Sequence, residues 1–136
     1  MTKKAVNKVK NSINKPVSIP LGDIQNRALS IRQPHAENIL RGVKKIEYRS
    51  MLTNIRGRVY IYASNMPAQL EFFDEIGAKP GDFPTGVLVG TVEIIGCKKP
   101  LFSHYYHWLL ANPKRLEEPV KPDKKGQPVW FIPFVK

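Results

Sequence analysis

The stretch that most limits what this chain can become is residues 86–96, Gly86-Val87-Leu88-Val89-Gly90-Thr91-Val92-Glu93-Ile94-Ile95-Gly96. Its apolar residues would occupy both faces of a strand, which predicts a strand buried in the middle of a sheet rather than one with a wet side. The glycines within it suggest bends of the kind that close a small barrel.

The remaining pattern supplies neighbours for that strand. Residues 28–31 read as a short strand, and Pro34 suits the first turn of a helix that Gly42 would cap, with Ala36, Ile39 and Leu40 as its apolar stripe. Residues 45–50 alternate, with Lys45, Glu47 and Arg49 on one face and Ile46 and Tyr48 on the other. Residues 58–64 alternate again. Residues 67–76 read as a short helix stopped by Gly77, and the prolines and glycines of residues 79–86 mark a loop. Residues 104–111 read as a helix ended by Asn112-Pro113, and residues 128–135 as a last strand that Pro133 confines to a sheet edge or bulge. The sum is an α+β domain, a small mixed β-barrel flanked by short helices. At 136 residues there is material for one such domain and a loose end. The division expected is 1–22 as a flexible basic arm and 23–136 as the domain, because the arm alternates lysine, asparagine and small residues and cannot bury enough surface to order itself.

Charge narrows the partners. The net charge is +11, and Lys3, Lys4, Lys8, Lys10 and Lys15 precede the first acid, Asp23. Between residues 27 and 58, eight Lys/Arg face only Glu37 and Glu47, whereas beyond residue 58 nine basic residues meet eight acidic ones. A positive field concentrated in the first third favours a polyanion, RNA first and DNA second. A charge excess that only keeps the protein soluble is the plainer reading. No apolar run approaches the ~20 residues of a membrane span. Cys97 is the single cysteine, so no intrachain disulfide can form, and a reducing, cytoplasmic location is the expectation. The oligomeric state is not written in the sequence.

Among residues that carry chemistry, the string Gly42-Val43-Lys44-Lys45-Ile46-Glu47-Tyr48-Arg49 stands out. Arginine's planar fork suits a phosphate or a base edge, and a glutamate carboxylate accepts from an exocyclic amino group. Glu47 and Arg49 share a strand face, where they either pair with each other or grip a ligand. Lys44 joins them only if the chain bends after Gly42. Glu93, a lone acid in the apolar strand, needs a partner such as Lys44 or Arg49, since a buried carboxylate is otherwise costly. Tyr48, Tyr60, Tyr62, Tyr105, Tyr106, Trp108 and Trp130 are either core filling or stacking platforms for unpaired bases. His104 and His107 stand three apart without a further ligand cluster, so no metal and no cofactor is expected.

Four blocks in order, Ser30-Ile31-Arg32-Gln33-Pro34-His35-Ala36, the G-x-K-x-x-E-x-R string, Arg56-Gly57-Arg58 leading to Ala63-Ser64, and Gly86-Val87-Leu88-Val89-Gly90, resemble the ASCH (activating signal cointegrator homology) domain family. Residues 107–113 and 126–130 resemble the C-terminal part of its bacterial and phage members. The resemblance implies a PUA-like barrel that binds RNA or a nucleotide in a cleft lined by the G-x-K-x-x-E-x-R segment, with Lys44, Glu47 and Arg49 as cleft residues and Gln33 and Ser64 nearby; Arg58 completes the candidate RNA-binding set. Some relatives are amidohydrolases acting on acetylcytidine with a lysine, a threonine and a glutamate. Lys44 and Glu93 fall at the lysine and glutamate positions, while Glu47 stands where the threonine would be. The catalytic candidates are therefore Lys44, Glu47 and Glu93. Three functions follow: an RNA- or nucleotide-binding module, a metal-independent hydrolase acting on RNA or acylated nucleosides, and a protein-interaction domain in transcription or phage regulation. The missing threonine favours binding over catalysis.

Overall fold

A computed structural model describes residues 24–135, so the basic arm expected over 1–22 lies outside the described residues. Eight elements follow in order: β1 Ile24–Arg32, α1 His35–Leu40, β2 Ile46–Arg49, β3 Gly57–Ser64, α2 Leu70–Asp74, β4 Val87–Lys98, β5 Tyr106–Val120 and β6 Trp130–Phe131. The strands form one sheet in the order β2-β5-β4-β3-β1-β6, with β1 parallel to β3 and every other pair antiparallel. The sheet curls into a half-barrel, an α+β barrel-like architecture.

β4 lies in the middle because its sequence demands cover on both sides. On one face Val89, Val92 and Ile94 join Leu29, Ile31, Val59, Ile61, Trp108 and Leu110 beneath Ala36 and Ile39 of α1. On the other, Leu88 meets Ala28, Tyr62 and Phe131. The glycines do mark bends: the β4–β5 register shifts next to Gly90 and Gly96. At Gly90 there is no room for a side chain, since a Cβ would meet Leu40 and lie 2.6 Å from the Lys114 carbonyl oxygen.

The edges come together. β2 and β1 stand far apart in strand order, yet the Arg49 Nη2 donates to the Ser30 carbonyl oxygen at 2.8 Å. Trp108 of β5 stacks on Trp130 of β6 with ring centroids 5.8 Å apart and 11° between planes. The seam between the edges is thus bridged by side chains instead of a backbone ladder.

Two expectations are corrected. Residues 104–111 are not a helix: β5 begins at Tyr106, pairs with both β2 and β4, and runs fifteen residues. The edge of β4 offered a full ladder of hydrogen bonds, and Trp108 and Leu110 alternate inward with His107 and Leu109 outward, a two-residue period that the sheet rewards. Asn112-Pro113, read as a helix stop, lies in an irregular stretch of that strand, with Asn112 at φ 51°. The second correction is smaller. Residues 128–135 pair only at Trp130–Phe131, because Pro133 cannot donate to a ladder and its carbonyl oxygen instead accepts the Asp123 N–H.

One ion pair fastens the helix to the sheet. Glu37 of α1, 7% exposed, accepts both Arg115 guanidinium nitrogens at 2.9 Å and the Arg41 Nε at 2.8 Å. The Arg115 hydrogen bonds, opposed by burial and aided by Arg41, hold its carboxyl below the usual carboxylate range. A depressed folded-state pKa contributes stability that is present above the unfolded value and lost as pH falls through the folded one. The domain is therefore expected to weaken as pH drops below the ordinary carboxylate range. Glu37→Gln should lower stability at neutral pH by about 1–3 kcal/mol and flatten that acid limb, read from urea midpoints across pH. An unchanged acid limb in the variant would assign it to other groups.

Candidate functional site

The bend after Gly42 decides the site. Gly42 adopts φ 78°, a left-handed conformation suited to glycine at a helix end, and the N–H groups of Val43 and Lys44 both donate to the Asn38 carbonyl oxygen at 3.0 Å. This turn brings Lys44 back beside β2, so its Nζ lies 3.6 Å from Glu47 Oε1. Glu47 Oε2 accepts the Arg49 Nε at 2.7 Å. The three charged residues of the string thus form one knot, and Glu47, 8% exposed, is its buried centre.

Trp108 supports the knot from below. The Arg49 guanidinium carbon lies 5.5 Å from the Trp108 ring centroid, and the indole Nε1 donates to the Met51 carbonyl oxygen at 2.9 Å. With Nε on Glu47 and Nη2 on Ser30, Arg49 keeps Nη1 without a hydrogen-bond partner among the described residues. Glu47 Oε1 likewise accepts no hydrogen bond among them; its nearest cation is Lys44, at ion-pair distance.

Those two atoms belong to residues lining a cavity of about 720 Å³. Its walls are Ser30 and Arg32 from β1, His35 from α1, Tyr62 and Ser64 from β3 with the following Asn65-Met66-Pro67, and the loop of residues 125–129. The loop is drawn in because the Ser30 hydroxyl donates to the Gln127 carbonyl oxygen and the Ser30 N–H to that of Val129. Gly126 is required there, as a Cβ would collide with the Tyr62 ring. His35 stands edge-on to Phe72, and burial, then Lys44, pull its pKa down against the opposing pull of Glu47 and Glu75. A neutral imidazole at the cavity wall can both donate and accept.

The sequence candidates separate into two sets. Glu47, Arg49 and Ser64 line the large cavity, and Lys44 touches it through Glu47 while lining a smaller pocket of about 370 Å³ with Gly42, Lys45, Leu110, Asn112 and Pro113. Gln33 and Arg58 do not line either. Gln33 is 2% exposed, its amide donating to the Pro84 carbonyl oxygen and accepting the Glu37 N–H. Arg58 is 3% exposed and spends its guanidinium on Thr91 Oγ1, the Asn112 carbonyl oxygen and, at 3.8 Å, Glu93. Buried, both find partners inside the fold, except that Arg58 Nε has none among the described residues. Glu93, expected to meet Lys44, Arg49 or another donor, finds other donors. It accepts from Asn112 at 2.6 Å and faces Arg58, so it reaches the smaller pocket only through Asn112.

Arg32 and Lys125 carry no ligand role in the sequence reading, and His35 enters it only within the first block of the family resemblance. Nothing in local spacing joins them to residues 42–49; the curl of the sheet does. Among the described residues no group of three or more His, Cys, Asp or Glu is placed to hold a metal ion, and no helix is long and apolar enough to cross a membrane.

The family model described as the ASCH domain matches residues 29–124, from the first core strand to the loop at the cavity mouth. Activating signal cointegrator 1 from Homo sapiens is 35% identical over a match covering 51% of this chain and 14% of that protein, and its Mus musculus counterpart matches to the same extent. The chain thus corresponds to a small part of those relatives.

Proposed function

The chain belongs to the ASCH domain family, which is linked to RNA binding, and from that premise we propose that it binds RNA by taking one unpaired nucleotide into the cavity walled by Glu47 and Arg49. The observation that carries this reading is the knot itself: a buried carboxylate whose Oε1 accepts no hydrogen bond among the described residues, beside a guanidinium whose Nη1 makes none, on two residues that line a cavity of about 720 Å³. That volume suits a small organic ligand. Glu47 Oε1 accepts from an exocyclic amino or ring N–H, while Arg49 Nη1 donates to a base carbonyl or a phosphate oxygen. Arg32 and Lys125 at the wall supply charge for the neighbouring phosphates. Lys44, ion-paired with Glu47, acts in this reading as a gripping cation.

Such binding depends on salt. Each phosphate neutralised on a single strand contributes a slope of roughly −0.7 in log affinity against log salt. An unstructured RNA oligonucleotide is therefore expected to bind with a slope near −2 if about three phosphates are held, measured by fluorescence anisotropy at rising salt. Lys44→Ala should weaken binding several-fold without moving the thermal midpoint by more than a few degrees. Affinity that ignores salt, or no affinity for any RNA, would sink the proposal.

A further inference from the structure

The cleft uses one face of β2, and the other face has a pattern of its own. Side chains alternate along a strand, so Glu47 and Arg49 turn to the inside with Trp108, while Tyr48 turns out. Tyr48 pairs with His107 of β5, and His107 pairs with Lys98 of β4. Cross-strand partners share a face, so Tyr48, His107 and Lys98 form one row across three strands, about 10 Å from end to end. The Tyr48 ring is 49% exposed and meets the His107 ring edge-on at 4.8 Å. Lys44 Nζ lies 5.1 Å from the Tyr48 ring centroid and 3.6 Å from Glu47, so Lys44 stands on the lip between the cavity and this row.

The row runs into the β4–β5 hairpin, where Lys99 lies over Tyr106 and the turn of residues 100–103 is closed by the Ser103 N–H on the Pro100 carbonyl oxygen at 2.9 Å. The Ser103 hydroxyl pins the exit by donating to the Tyr105 carbonyl oxygen and accepting the Tyr105 N–H. Phe102 occupies the third position of the turn at φ 70°, where glycine or asparagine is expected. A bulky residue at that angle carries backbone strain. Its side chain is 92% exposed and Leu101 is 84% exposed, so packing within the domain does not account for either. Residues 94–116 contain no acid, while Lys98 and Lys99 flank the tip.

We infer that this row and the hairpin tip form a second contact for RNA: the single strand whose nucleotide enters the cleft passes over Lys44, stacks unpaired bases on Tyr48 and Phe102, and sets phosphates against Lys98 and Lys99. The inference rests on the RNA reading of the cleft. An unpaired strand fits because exposed rings separated by lysines match the alternation of bases and phosphates, and a ring can stack only on a base freed from its own helix. A strained, solvent-facing phenylalanine at a glycine position gives up fold stability for a contact made outside the fold.

The test uses the full chain and two unstructured RNA probes, a trinucleotide and an oligonucleotide of about 15 nucleotides, which exceeds what the cleft alone covers. Phe102→Gly is expected to weaken the long probe roughly tenfold, leave the trinucleotide unchanged and raise the thermal midpoint. Phe102→Trp should keep the long-probe affinity. Photocrosslinking of a thiouridine-substituted long probe should label the peptide holding Phe102. Equal long-probe affinity for Phe102→Gly and the unaltered protein would overturn this inference and leave the cleft reading intact. A loss shared equally by both probes would also overturn it, since Phe102 would then act through the fold. If the unaltered protein bound neither probe, both readings would fall. Capture on anionic phosphatidylserine vesicles that Phe102→Gly abolishes, with RNA affinity unmoved, would assign the tip to a membrane surface instead.

Discussion

Trp108→Ala is expected to destabilise this domain by about 3–5 kcal/mol, a large fraction of the total stability of a small domain. Trp108 is fully buried, stacks on Trp130 across the seam and donates its indole N–H to Met51. Its loss opens a cavity where the two sheet edges meet and leaves the Met51 carbonyl oxygen unpaired, and the two effects add. Because Arg49 rests on the same ring, the variant should also loosen the knot. Urea unfolding followed by tryptophan fluorescence and circular dichroism reads the first effect. Trp108→Phe separates them: it restores much of the apolar volume without the N–H donor, so about 1–3 kcal/mol should remain missing. A full-length stability in Trp108→Ala indistinguishable from the parent would show that the seam is held elsewhere.

How much of this was legible beforehand depended on the range of the interactions involved. The two-faced apolar run of β4 declared itself because burial on both sides is a property of the strand's own residues. Gly42 was readable as a helix end for the same local reason, and its left-handed φ is what carries Lys44 to Glu47 against the alternation of the strand. The stretch over 104–111 differs from its helical expectation because its mixed aromatic and aliphatic residues satisfy a helical spacing as well as a strand's. Only the free edges of β2 and β4 decided between them. Arg58 shows a different limit. An arginine at the start of an alternating strand looks solvent-facing, and its burial depends on Thr91 and the Asn112 carbonyl oxygen, residues 33 and 54 positions away. Arg32 and Lys125 were hidden likewise, since the cavity they share with His35 exists only once the sheet has curled.

Arg49 combines a structural and a ligand role, and the two can be pulled apart. Arg49→Ala removes the bridge to Ser30, the cover over Trp108 and the closest partner of Glu47. Breaking a buried pair typically costs about 3–5 kcal/mol, because the remaining charge is left without compensation. Lys44 at 3.6 Å relieves part of that, so the loss should fall at the lower end. Hydrogen bonds from a charged donor contribute about 1.5–3 kcal/mol, so RNA affinity should also drop roughly ten- to hundredfold. Binding and folding then fail together, which a single variant cannot resolve. The double variant Glu47→Leu with Arg49→Met replaces the pair by apolar side chains of similar size, an exchange that is often neutral or stabilising. It is expected to return the urea midpoint close to that of the parent while RNA affinity stays as low as in Arg49→Ala. Recovery of RNA binding in the double variant would show that Glu47 and Arg49 merely hold the seam. Persistent instability would show instead that the Arg49 bond to Ser30, and not the neutralisation of Glu47, is what the fold requires.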